Sequence, residues 1–125
     1  MVDRSVYDAV GGQPFFDALV ERFAARVAGD PLLRSVYPDD LAPGMRALAR
    51  FLAQYWGGPA DYSAEKGHPR LRMRHAGFRI TEQERDAWLA AMLAALDEAD
   101  LDPEIDRAMR DYFVQGATWM INAAD

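Results

Sequence analysis

Four apolar side chains, Phe15, Leu19, Phe23 and Val27, follow one another at steps of four residues behind Gly11-Gly12 and Pro14. A row at that spacing runs along one side of an α-helix; on a strand, alternate residues would share a face instead. A helix with one apolar side must lay it against other elements, so the stripe demands partners elsewhere in the chain. The partners read as helices too. Only Arg70-Leu71-Arg72-Met73-Arg74 alternates as a strand would, and it is short and framed by Pro69 and Gly77. The expected class is all-α.

Helix boundaries follow from local chemistry. Pro14 suits a first helical turn, and Gly29-Asp30-Pro31 closes the first helix and opens a short one, with Asp30 as N-cap. Tyr37-Pro38-Asp39-Asp40 reads as a turn. A third helix is expected from about Pro43 to Trp56, with Leu48, Phe51, Leu52 and Tyr55 on one side and Gly57-Gly58-Pro59 stopping it. From there to Pro69 the sequence suggests a long ordered loop, then a short helix over Pro69 to His75 ended by Ala76-Gly77. Thr81 and Glu84 have capping-box spacing ahead of Trp88, Met92 and Leu96. Asp102-Pro103 starts a last helix with Ile105, Met109, Tyr112, Phe113, Gly116 and Met120 facing inward.

At 125 residues, half of them apolar, the expectation is a single domain spanning 1–125. The chain has no cysteine, which excludes disulfides, thiolate metal sites and covalent CxxCH haem attachment. Two histidines, His68 and His75, are too few for a multi-histidine zinc or copper cage. No apolar run approaches the roughly 20 residues of a membrane span, and the first residues do not begin a signal peptide, so the expected location is the cytoplasm.

The net charge of −6 argues against nucleic-acid binding. Yet Lys66, Arg70, Arg72, Arg74 and Arg79 lie within fifteen residues that contain no acid, so this segment carries +5 and the rest of the chain −11. A local positive patch on an acidic chain suits a small anionic ligand. Both histidines lie in the same segment. On a helix His75 would share a face with Leu71, with Arg70 and Arg74 beside it. One imidazole over an apolar face among guanidinium groups suits a flat apolar cofactor with acidic edges, and haem is such a group. A partly buried structural histidine among solvated arginines accounts for the same residues. The stripes containing Phe15, Phe23, Phe51, Trp88, Met92, Met109 and Met120 read first as core, although a buried Trp88 must find a partner for its indole N–H. Gly11-Gly12 lacks the strand and Lys-Ser/Thr tail of a phosphate loop and reads as a turn, and no serine has nucleophile context. Asp39-Asp40 and Glu82/Glu84 read as helix-terminus carboxylates.

Taken in order, Tyr7-Asp8-Ala9-Val10-Gly11-Gly12, Gln54-Tyr55-Trp56-Gly57-Gly58-Pro59, Tyr62-Ser63, GHPRLRMRHAGFRI from Gly67 to Ile80 and Glu84-Arg85-Asp86-Ala87-Trp88-Leu89 resemble the group II (O-type) truncated haemoglobins over nearly the whole chain. The resemblance implies a 2-on-2 helical sandwich around non-covalent haem b, with His75 as the iron ligand. Leu48, Phe51, Leu52, Tyr62, His68, Leu71, Arg74, Phe78 and Trp88 are then the expected haem contacts, with Arg74, Tyr62 and His68 toward the propionates. Phe23, Ala24, Tyr37, Gly44, Leu48 and Trp88 are the expected distal ligand pocket. The implied partners are O2, CO and NO, with an unidentified reductase; a homodimer is compatible with the sequence.

Two departures from the family pattern stand out. Ala24 occupies the place of a common tyrosine, which removes a phenolic donor and opens space. An arginine often found near Ala47 is absent, leaving Arg46 or Arg50 as substitutes. Losing one neutral hydrogen bond to bound ligand is worth about 0.5–1.5 kcal/mol, so O2 exchange is expected to be faster than in tyrosine-bearing relatives, and Ala24→Tyr to slow O2 release. Three functions compete at this point. The first is reversible gas binding, used for transport, sensing or NO detoxification. The second is peroxidase-like or NO dioxygenase turnover in a widened pocket, which lacks a distal histidine for acid–base work. A haem-free interaction domain is the third.

Overall fold

The computed structural model describes residues 5–67 and 70–123, and for Leu71 and Arg72 the backbone alone. Among these there are eight helices and no strand: α1 (Val6–Ala9), α2 (Gln13–Ala28), α3 (Pro31–Val36), α4 (Ala42–Tyr55), α5 (Asp61–Lys66), α6 (Leu71–Arg74), α7 (Glu82–Asp97) and α8 (Pro103–Trp119). Helix α2 packs on α4 and α7, and α7 packs on α8, so two helix pairs face each other. The shorter helices close the ends, α3 against α2 and α7, and α5 against α4.

The expected caps form. The Asp30 carboxylate accepts from the Leu32 and Leu33 amides at 2.9 and 3.2 Å, and the Asp102 carboxylate accepts from the Glu104 amide at 3.0 Å. Thr81 is buried at the start of α7, where its hydroxyl accepts from the Gln83 amide at 3.2 Å and donates to Glu84 at 2.6 Å. The capping-box residues thus bond to each other instead of making the reciprocal backbone pair.

Along α2 the buried residues are Phe16, Leu19, Val20, Phe23 and Val27, while Phe15 is half-buried. Strict steps of four advance by about 40° too much each time on a 3.6-residue helix, so Phe16 takes the interior place at the start of the stripe. On α4, Met45, Ala49, Phe51, Leu52 and Ala53 are buried; Leu48 is half-buried and Tyr55 is exposed, with its ring against Tyr112 at 4.1 Å between centroids. At the end of α4, a Cβ on Gly58 would stand 2.6 Å from the Tyr7 ring and 2.8 Å from the Ala53 carbonyl oxygen. Glycine there lets α1 close over the turn, where the Tyr7 amide donates to the Trp56 carbonyl at 2.9 Å.

Two segments differ from the sequence expectation. The expected loop before Pro69 contains α5, a six-residue helix anchored by buried Tyr62. The helix expected to run to His75 ends at Arg74, and His75 begins a turn that passes through Gly77.

Candidate functional site

Between the helix pairs lies a cavity of about 370 Å³ with predominantly apolar walls. That volume lies in the range of small-molecule and cofactor pockets. Of the residues singled out in the sequence, Tyr37, Gly44, Leu48, Phe51, Leu52, Tyr62, His75, Phe78 and Trp88 line it. They come from five segments between positions 37 and 88. Helix α4 supplies one wall through Leu48, Phe51 and Leu52, and the turn after α3 supplies Tyr37. Helix α7 supplies Trp88, and the turn after α6 supplies His75 and Phe78.

The polar groups of the cavity are few. His75 is half-buried. The Trp88 indole N–H donates to the Tyr37 hydroxyl at 3.2 Å, and this bond satisfies the donor that burial of Trp88 demands. Burial holds the Tyr37 phenol above its ordinary pKa, more than the Trp88 hydrogen bond lowers it, so the hydroxyl is protonated at neutral pH. Phe23, fully buried, does not line the cavity; its ring meets the Trp88 ring edge-on at 5.2 Å and fixes the indole from behind. Ala24 is half-buried against the core and is not among the residues of the cavity wall.

At the basic end, Arg74 is exposed; it donates to the Lys66 carbonyl at 2.6 Å, and its guanidinium lies 6.0 Å from the centre of the Tyr62 ring. Arg50 pairs with Glu65, and Arg46 is exposed. His68 lies outside the described residues, as does the side chain of Leu71.

Helix α8 contributes cavity residues that the sequence offered only as core: Tyr112, Phe113, Gly116 and Met120. Met45, adjacent to Gly44, also joins the wall. The apolar period marked the inward face of α8, but nothing local distinguishes an inward residue that meets another side chain from one that meets a cavity. Tyr112 carries a trace of the difference, since burial, followed by the nearby Tyr55, pushes its phenol pKa up to about 12.

These residues suit haem. The walls are apolar, one imidazole reaches the cavity, and exposed cations (Lys66, Arg70, Arg74 and Arg79) lie in the segment that carries it. Group 2 truncated hemoglobin YjbI of Bacillus subtilis is 40% identical over 119 residues, 95% of this chain and 89% of that protein. The solved hemoglobin of the thermophilic phototroph Chloroflexus aurantiacus is 48% identical with a TM-score of 0.94, covering 97% of this chain and all of the other. The group II truncated hemoglobin of Bacillus anthracis superposes with a TM-score of 0.95 at 34% identity, covering 100% of this chain and 96% of that one. The profile of the bacterial-like globin family matches residues 5–122. The chain belongs to the bacterial-like globins and, within them, to the group II truncated haemoglobins, a family whose common property is haem-based gas binding.

Proposed function

We propose that the chain binds haem b without a covalent bond, that His75 would hold its iron through an imidazole nitrogen, and that the bound haem would reversibly take O2, CO and NO. The observation that carries this reading is the placement of one half-buried imidazole on the same apolar cavity as the Trp88–Tyr37 pair. When bound, haem supplies an iron centre able to take a diatomic gas. The chain supplies the rest. Leu48, Phe51 and Leu52 keep water from the cavity, and Phe23 holds the Trp88 ring in place. Because the Tyr37 hydroxyl accepts from Trp88, its own proton is left for a partially negative ligand atom, and a neutral bond of this kind slows release a few-fold to about tenfold. Arg74 and its cationic neighbours are suited to the propionates. Oxygen carriage or NO detoxification in the cytoplasm, with an unidentified electron donor, is the expected use.

Absorption spectroscopy with added haemin tests the reading: as prepared, dithionite-reduced, and reduced under CO, alongside His75→Ala. We expect a saturable one-to-one Soret band whose ferrous-CO form is altered or lost in the variant. A spectrum equal to free haemin and indifferent to the substitution overturns it.

A further inference from the structure

His75 opens a short turn bonded within itself, the Phe78 amide donating to the His75 carbonyl at 3.0 Å and the Ala76 amide to the Met73 carbonyl at 3.1 Å. Helix α6 has only four residues, too few to stand alone, and His75 follows its end in a turn. A further set of bonds on this turn comes from the far end of the chain. The Asn122 side-chain amide nitrogen lies 3.3 Å from the His75 carbonyl oxygen and 2.7 Å from the Phe78 carbonyl oxygen, and donates to both. Its side-chain oxygen accepts from the Ile80 amide at 2.8 Å. The backbone amides of Asn122 and Ala123 both donate to the Ile80 carbonyl, at 2.9 and 3.1 Å. The segment 75–80 is thus held at three residues by one side chain and two peptide groups.

The chemistry selects the residue. A carboxamide is planar, with two donors on one atom and an acceptor on the other, and this segment presents two carbonyls and one N–H. Aspartate would keep the acceptor for Ile80 but place lone pairs against the two carbonyls. Alanine would remove the partner of the Phe78 carbonyl and the Ile80 amide, while the His75 carbonyl would keep the Phe78 amide as a donor.

We infer that Asn122 is a positioning residue for the His75 imidazole, fixing the main chain of the 75–80 turn so that the ring is presented to the haem in one orientation. This rests on His75 being the axial ligand. Groups that orient a metal-binding imidazole tune its bond to the metal, and their removal typically costs about ten- to hundredfold in affinity where the contact is direct. Here the contact is to the ligand's own backbone and is exposed, so a smaller effect is expected.

The test uses Asn122→Ala and Asn122→Asp in the full chain, with three readouts. Haem transfer to an excess of an apoglobin acceptor should be about five- to tenfold faster in both variants, as expected for the loss of several exposed hydrogen bonds. The iron–histidine stretching band of the ferrous form should shift or broaden. In the haem-free protein, exchange of the Ile80 amide hydrogen should accelerate in Asn122→Ala and less in Asn122→Asp, which retains its acceptor. Circular dichroism melting of the haem-free variants guards against a general loss of fold. Haem transfer, stretching band and amide exchange all unchanged in both variants would overturn the inference. Haem retention and band unchanged by His75→Ala would instead overturn the ligand assignment. In that case faster Ile80 exchange in Asn122→Ala would still establish the clasp while removing its role toward haem.

Discussion

The two sides of the cavity are built differently. On the Trp88 side, the indole stands on α7 two turns from a buried capped start at Thr81, backed by the fully buried Phe23 ring. On the His75 side, no described side chain from Arg70 to Arg79 is buried; Met73 is 65% and Phe78 47% exposed. One wall is part of the core and forms with it. The other is a short helix and a turn with little buried surface, bonded across the chain by Asn122. A gas site benefits from that division. The donors that meet a small ligand must be fixed in advance, whereas the wall that admits a large flat cofactor must be able to part.

The sharpest way to break this comparison is to truncate one phenylalanine on each side. Phe23→Ala removes a fully buried ring from beneath Trp88 and should cost about 3–5 kcal/mol of stability in the haem-free protein. Phe78→Ala should cost within about 0.5 kcal/mol there, because its ring is half in solvent, while loosening haem through the lost wall contact. Urea denaturation of both variants, with and without haemin, measures each term. Equal losses in the haem-free protein would mean that the two walls are equally part of the core.

A smaller effect isolates the polar pair. Trp88→Phe keeps a ring against Phe23 and removes the indole donor to Tyr37. Stopped-flow O2 release from the reduced haem protein should change by a few-fold to about tenfold, the worth of one neutral hydrogen bond. A rate identical to that of the unsubstituted protein would mean that the pair does not act on the ligand.

The smallest expected effect concerns alkaline pH. Tyr112, with its pKa pushed up to about 12 mainly by burial, holds its proton more tightly folded than unfolded, where a tyrosine titrates near 10. Its contribution to stability is therefore complete below pH 10 and is lost as pH rises toward about 12. Ultraviolet difference titration of tyrosinate, compared with Tyr112→Phe, should show one late-titrating phenol missing in the variant. A difference spectrum centred near pH 10 would place Tyr112 in solvent.

Much of this architecture was legible before any tertiary contact was known. The starts of α3, α7 and α8 are written in Asp30-Pro31, Thr81 with Glu84, and Asp102-Pro103, since a cap bonds to amides two or three residues ahead. The stripe of α2 and the inward face of α8 follow from helical period, and His75 stood out as the one imidazole with apolar and cationic neighbours at helical spacing. Helix α5 escaped because six residues with a single buried side chain carry no period; its support comes from packing against α4.

What the sequence determined on its own, then, is whatever depends on residues within about four positions of each other: the helical class, most boundaries, the caps, and the candidate ligand. The tertiary structure alone decided the pairings across the cavity. Trp88 meets Tyr37 across 51 positions, and Asn122 reaches His75, Phe78 and Ile80 across 47, 44 and 42. Tyr112, Gly116 and Met120 turn out to face a space instead of a neighbour. Period and capping are fixed by a helix's own geometry, whereas these meetings depend on how helices cross, which is set by the packing of the whole core at once.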